Sequence, residues 1–194
     1  MELSRFEKAI ALIDKKNSED TRLEYFQGKE YPKELLYSQR MTQNLLLFKP
    51  DASEEIQLAA RAQHICRWKI ERNNYPMDRE GYIKWRETLK KMHAEITSEI
   101  LKEIGYNQKF IDRVSFLINK RLIKKDKETQ ILEDVICLVF LKYYFEEFAY
   151  KHPDKKVIEI IKKTWMKMSI NGQDAVKVLT FSDRCQTLIK DALS

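Results

Sequence analysis

The chain holds only three histidines, and two of them, His64 and His93, fall within stretches of helical periodicity. His64 shares a helix face with Arg61, Arg67 and Trp68 at spacings of three and four, and His93 shares one with Arg86, Lys90 and Thr97. Two acids, Glu133 and Asp134, open the most apolar segment. From Asp134 the same face continues through Cys137, Leu138 and Leu141, so that carboxylate is expected to point inward. A buried acid is costly unless a cation, a metal or hydrogen-bond donors meet it. Two imidazoles and a carboxylate suit a divalent ion such as Mn, Fe, Zn or Mg. Such an ion lowers the pKa of a bound water and polarises a phosphoryl oxygen. The expected metal set is therefore His64, His93 and Asp134, with Glu133 or Glu95 orienting water. The bland alternatives stay open: a mid-helix histidine commonly packs and hydrogen-bonds, and acids in a first turn meet the helix dipole. No metal at all is compatible with both.

A second group runs Tyr75-Pro76-Met77-Asp78-Arg79-Glu80-Gly81-Tyr82-Ile83-Lys84-Trp85-Arg86. Arg79 and Arg86 lie one heptad apart at the mouth of a long helix, a place suited to a phosphate or carboxylate. The same residues also make a loop pinned by aromatics, with the arginines paired to Glu71, Asp78 or Glu80. A third group, Lys167-Met168-Ser169, matches a three-residue signature of class I aminoacyl-tRNA synthetases. No strand-rich nucleotide fold surrounds it, so capping a helix, with Lys163 or Lys167 near an anion, is the better reading.

These groups need helices to position them. Gly and Pro number four each, too few for the tight turns of a sheet-rich fold. Leu3, Phe6, Ile10 and Ile13 form a first stripe, with a loop at 17–21. A second helix is predicted over 33–48, after Pro32. A third is capped by Asp51, with Glu54 three residues on, and carries Ile56 through His64 to Trp68. Asn73 to Pro76 is a break; a long helix follows over 79–104 and stops at Gly105. Further helices are predicted over 108–123, 129–152, 155–168, a short one after Asn171-Gly172, and 182–193. The segment 129–152 is apolar nearly all round, as a central helix is. The fold class is all-α, a single-domain bundle of seven to nine helices. Its core is expected over 51–170, with the N-terminal helices of 2–48 and the C-terminal helices of 173–193 packed on it.

Composition narrows the partners. The 194-residue chain can bury a core without staples, and its three separated cysteines, Cys66, Cys137 and Cys185, suggest core thiols rather than disulfides or zinc. No apolar run reaches 18 residues, and the first residues lack a signal-peptide core, so a cytoplasmic protein off the membrane is expected. The net charge of +6 is spread along the chain, except for Lys120-Arg121-Leu122-Ile123-Lys124-Lys125. That short run reads as a solvated helix end with weak phosphate affinity, and nucleic acid ranks last among partners. Oligomeric state and substrate are left open.

The run Arg61-Ala-Gln-His64-Ile-Cys-Arg67-Trp68, Tyr75-Pro76, Arg79-Glu-Gly81-Tyr82, Trp85-Arg86 and His93-Ala-Glu95 resembles a single family pattern. So do Gly105-Tyr106, Lys120, Gln130-x-Leu132-Glu133-Asp134, Cys137 to Leu141, and Lys163-Thr-Trp165-x-Lys167-Met-Ser169. Together they resemble the domain-of-unknown-function 4202 family over nearly the whole chain. The order His64, His93, Asp134 is also similar to the HD superfamily of metal-dependent phosphohydrolases, with Ala94 where that pattern places an aspartate. Glu95 lies about 200° around the helix from His93 and is no simple substitute. The HD resemblance implies hydrolysis of a nucleotide or small phosphoester, with Arg61, Arg67, Arg79, Arg86 and Lys120 binding phosphate. The alternative is a non-catalytic module that binds an anionic metabolite or a protein partner through the same pocket.

Overall fold

The computed structural model describes residues 2–194 and is broadly all-α. The chain falls into two compact units: unit 1 comprises the residues up to Leu46 and Pro50–Arg121, and unit 2 comprises Leu47–Lys49 and Leu122–Ser194.

In unit 1, α1 (Arg5–Asn17) starts at a capping box: Ser4 Oγ accepts from the Glu7 N–H, and the Glu7 carboxylate accepts from the Ser4 N–H. A hairpin follows that periodicity did not announce. Strand β1 (Leu23–Phe26) pairs antiparallel with β2 (Lys29–Pro32), Leu23 opposite Pro32 and Phe26 opposite Lys29. Its two-residue turn has positive φ at both Gln27 (49°) and Gly28 (82°), the geometry of the tight turns that match strand twist. Gln-Gly is a poorer signal for that turn than Asn-Gly. Helix α2 (Lys33–Phe48) begins directly after Pro32, as predicted.

The third helix is shorter than predicted. Helix α3 spans Glu54–Arg61, and its cap is Ser53, whose Oγ accepts from the Ile56 N–H, rather than Asp51. The chain then turns, with Cys66 at φ 55°, into 3₁₀ turns at Arg67–Lys69 and Arg72–Asn74. His64 therefore stands on a turn and not within a helix. The reason is tertiary. Asn17 Oδ1 accepts the Cys66 N–H at 3.1 Å, and the Ile65 carbonyl accepts from His93 at 2.7 Å, so distant partners take the groups a helix would use.

Helix α4 (Arg79–Ile104) is capped by Asp78 and ends at Gly105, φ 91°. Gly81 is required there, because a Cβ would meet the Pro76 carbonyl oxygen at 2.1 Å. Helix α5 (Gln108–Ile118) stops short of the predicted 123. The chain leaves it through left-handed residues Lys120, Leu122 and Lys124. Helices α1 and α3 each pack with α4 or α5, burying Ala9, Ile13, Ile56, Ala59, Leu101, Val114 and Leu117.

In unit 2, the predicted long apolar helix breaks at Tyr144 into α6 (Lys127–Tyr143) and α7 (Phe145–Lys151). Helices α8 (Asp154–Lys167), α9 (Ile170–Val176) and α10 (Asp183–Leu193) complete it. Leu138, Leu141, Phe145, Val157, Ile161, Cys185 and Leu188 form its core. Cys66, Cys137 and Cys185 are all buried. Among the described residues, no helix is long and apolar enough to cross a membrane.

Candidate functional site

The two histidines do meet, within unit 1. Their ring centroids are 6.1 Å apart. His64 stacks on Tyr37 of α2 at 4.0 Å and 12°. An arginine can only donate, so the 3.0 Å contact between Arg67 Nη1 and His64 Nε2 fixes that nitrogen as the acceptor. The proton then sits on Nδ1, which faces Glu34 Oε2 at 3.3 Å. His93 has the same tautomer for a different reason: its Nδ1–H donates to the Ile65 carbonyl. Nε2 of His93 is buried and has no hydrogen-bond partner.

Glu34 is the hub of this arrangement. It is buried in the first turn of α2, and Arg22 Nη2 donates to its Oε1 at 2.9 Å. Arg22 is held in turn by both oxygens of Asp20, whose Oδ2 also accepts the Glu34 N–H. Burial pushes the Glu34 carboxyl above its ordinary value, while the charges of Arg67 and Arg22 oppose that rise.

Around the imidazoles the field is cationic. Burial pushes His64 well below its ordinary value, and Arg67, Arg86, Lys120 and Arg22 all push the same way. His93 is lowered to about 3, first by burial and then by His64 beside it. Both rings are therefore neutral at physiological pH. Arg67 lies 4.9 Å from the Trp85 ring centroid, and its own pKa is lowered by burial. Arg86 reaches the Tyr82 hydroxyl at 3.4 Å. Among the described residues, neither Arg67 nor Arg86 has a carboxylate within ion-pairing distance.

The other expected residues have different surroundings. Arg61 is spoken for: Nε and Nη2 grip Asp14 at 2.7 and 2.5 Å, and Nη1 reaches Thr42. Arg79 and Glu95 are exposed on α4. Asp134 and Glu133 belong to unit 2. There Asp134 accepts from the Ser169 N–H at 2.7 Å, the Ser169 hydroxyl at 2.5 Å and Gln130 Nε2 at 3.0 Å. Ser169 Oγ in turn accepts the Gly172 N–H at the start of α9, so the Lys167-Met168-Ser169 triplet caps a helix. Gly172 is needed at that point, since a Cβ would lie 2.7 Å from the Asp134 carboxylate. Glu133 is buried, with Lys167 Nζ at 3.9 Å. A depression of about 330 Å³ borders Asp134, Ser169 and Lys124, Lys125 and Lys127. Among the described residues, no group of three or more His, Cys, Asp or Glu is placed to hold a metal ion.

Sequence reasoning missed Glu34, Tyr37 and Arg22. The signal for the first two was present: Glu34, Tyr37, Met41 and Leu45 fall at spacings of three and four, a stripe that places an acid on a buried face. Arg22 had no such signal, because it sits at the start of the hairpin.

No curated protein and no solved structure matches the chain. The family described as Domain of unknown function (DUF4202) matches residues 7–189, and the chain belongs to that family.

Proposed function

We propose that unit 1 binds a small phosphorylated ligand through Arg67 and Arg86 beside His64. One observation carries this reading: the guanidiniums of Arg67 and Arg86 act on a neutral, partly buried imidazole and, among the described residues, have no carboxylate within ion-pairing distance, while Glu34 beside that ring is already bonded to Arg22. Glu34, whose charge acts on Arg67, is shared with Arg22, so an incoming dianion meets a cluster that is positive on balance. The planar fork of arginine suits phosphate oxygens, and the fields of Lys120 and Arg22 add to the attraction.

The same field bears on the metal-dependent hydrolase that the HD resemblance implies. A divalent ion between His64 and His93 would lie in the field of Arg67, Arg86, Lys120 and Arg22. His64 Nε2 already accepts from Arg67, Ala94 replaces the bridging aspartate, and the Asp134 oxygens are taken by Ser169 and Gln130. This donor set does not fit a divalent ion, so the module is read as a binder without catalysis.

Calorimetric titration with ethyl phosphate at low salt tests the proposal. Binding is expected, with Arg86→Met weakening it about tenfold, the worth of roughly one charged hydrogen bond. Arg79→Met should leave it unchanged. Absence of binding, or equal weakening in both variants, overturns the reading. Turnover of p-nitrophenyl phosphate with added Mn²⁺ that disappears in His64→Ala would restore the hydrolase.

A further inference from the structure

Resting on the phosphate-binding reading, we infer that the ligand of unit 1 is a phosphomonoester that also carries a hydroxyl group, and that His93 Nε2 accepts the hydrogen bond from that hydroxyl. His93 is 2% exposed, and its Nδ1–H is committed to the Ile65 carbonyl. Its second nitrogen is thus a lone pair with nothing to receive. A buried acceptor left bare costs stability, so such atoms are usually met by a donor from the protein, from water or from a ligand. The protein supplies none here.

The chemistry of the neighbouring cluster decides what that donor is. The phosphate of a monoester is a dianion at neutral pH and offers only acceptors. It therefore suits Arg67 and Arg86 but not the His93 lone pair, which would repel it. Two unlike needs lie near one another among the described residues: guanidiniums with no carboxylate within ion-pairing distance, and a buried neutral acceptor with no donor. The His64 and His93 ring centroids are 6.1 Å apart, so the bare acceptor belongs to the ring beside the imidazole that Arg67 touches. His64, whose side chain is 22% exposed, is the more open of the two rings, so the ligand would approach past it toward His93. An alkyl phosphate satisfies the cations alone. A polyol or sugar phosphate satisfies both.

Glycerol 3-phosphate and propyl phosphate, matched in carbon count, separate these cases by calorimetric titration of the wild-type chain. The expected result is a preference for glycerol 3-phosphate on the order of tenfold. His93→Phe removes the acceptor together with the Nδ1–H bond to Ile65, so the readout is the ratio of the two affinities within the variant, which should fall to about one. Equal affinity of wild type for the two probes overturns the inference and leaves the phosphate site standing. Failure of both probes to bind overturns the phosphate site and this inference with it. The wild-type comparison decides the matter even where the variant does not fold.

Discussion

Glu34 in the first turn of α2 and Asp134 two turns into α6 are both buried acids, yet they have opposite company. Asp134 is met by the backbone N–H and hydroxyl of Ser169 at the start of α9 and by the Gln130 amide, all neutral donors. Glu34 is met by Arg22 and a histidine N–H, and its single charge faces both Arg22 and Arg67, while among the described residues Arg67 and Arg86 have no carboxylate within ion-pairing distance. The first arrangement is closed; every donor has its acceptor. The second is open on the positive side. Burial of an acid is thus no mark of a site by itself; the charge left over around it is.

Four experiments sharpen or break this contrast. The largest effect is expected at the closed acid. Asp134→Ala should cost about 3 kcal/mol of stability by urea unfolding, since it strands buried donors, and should leave ethyl phosphate affinity unchanged. A loss of binding with stability intact would place Asp134 with the ligand instead.

The second concerns pH. The folded pKa of His93, about 3, lies below the ordinary 6.5, so the unfolded chain binds the proton first. The stability held by the neutral ring is full above pH 6.5 and is lost progressively as pH falls from there toward 3. At pH 5 that loss is about 2 kcal/mol from His93, with His64 contributing in the same direction. Urea midpoints between pH 7 and 5 check it, and His93→Phe should flatten part of the slope. An unchanged midpoint would mean that the rings are not held neutral.

Third, Arg67→Met should weaken ethyl phosphate binding by about tenfold, as Arg86→Met does. The two effects should fall as ionic strength rises, because the field around His64 is screened. Salt-independent binding would remove the electrostatic argument. Smallest is Glu34→Gln, which takes one negative charge from the cationic cluster. It should tighten ethyl phosphate binding by roughly threefold at low salt. Weaker binding would make Glu34 a ligand contact rather than a counter-charge.

The contrast also shows where sequence reasoning reached. His64 and His93 stand out in the sequence by their rarity and their faces, and their ring centroids lie 6.1 Å apart. Arg67, Arg86 and Lys120, which the HD resemblance marks as phosphate ligands, have charges that act on His64. Arg61 looked equivalent to Arg67 in the sequence, six residues away on the same periodic stretch. Only the position of Asp14, 47 residues earlier, turns it into a structural ion pair. Arg79 and Glu95 shared a helix with the right neighbours and face solvent.

The sequence by itself determined the helices, because apolar spacing, the near absence of Gly and Pro, and the caps at Ser4, Asp78 and Asn107 are local properties of the chain. It also determined that Asp134, on the apolar face of α6, would be buried. The tertiary structure decided where α3 ends, that a hairpin precedes α2, and which buried acid is surrounded by spare positive charge. Those outcomes depend on partners 12 to 49 residues away, Asn17 for the Cys66 turn, Arg22 for Glu34 and Ser169 for Asp134, and the periodicity of a single helix holds no such pair.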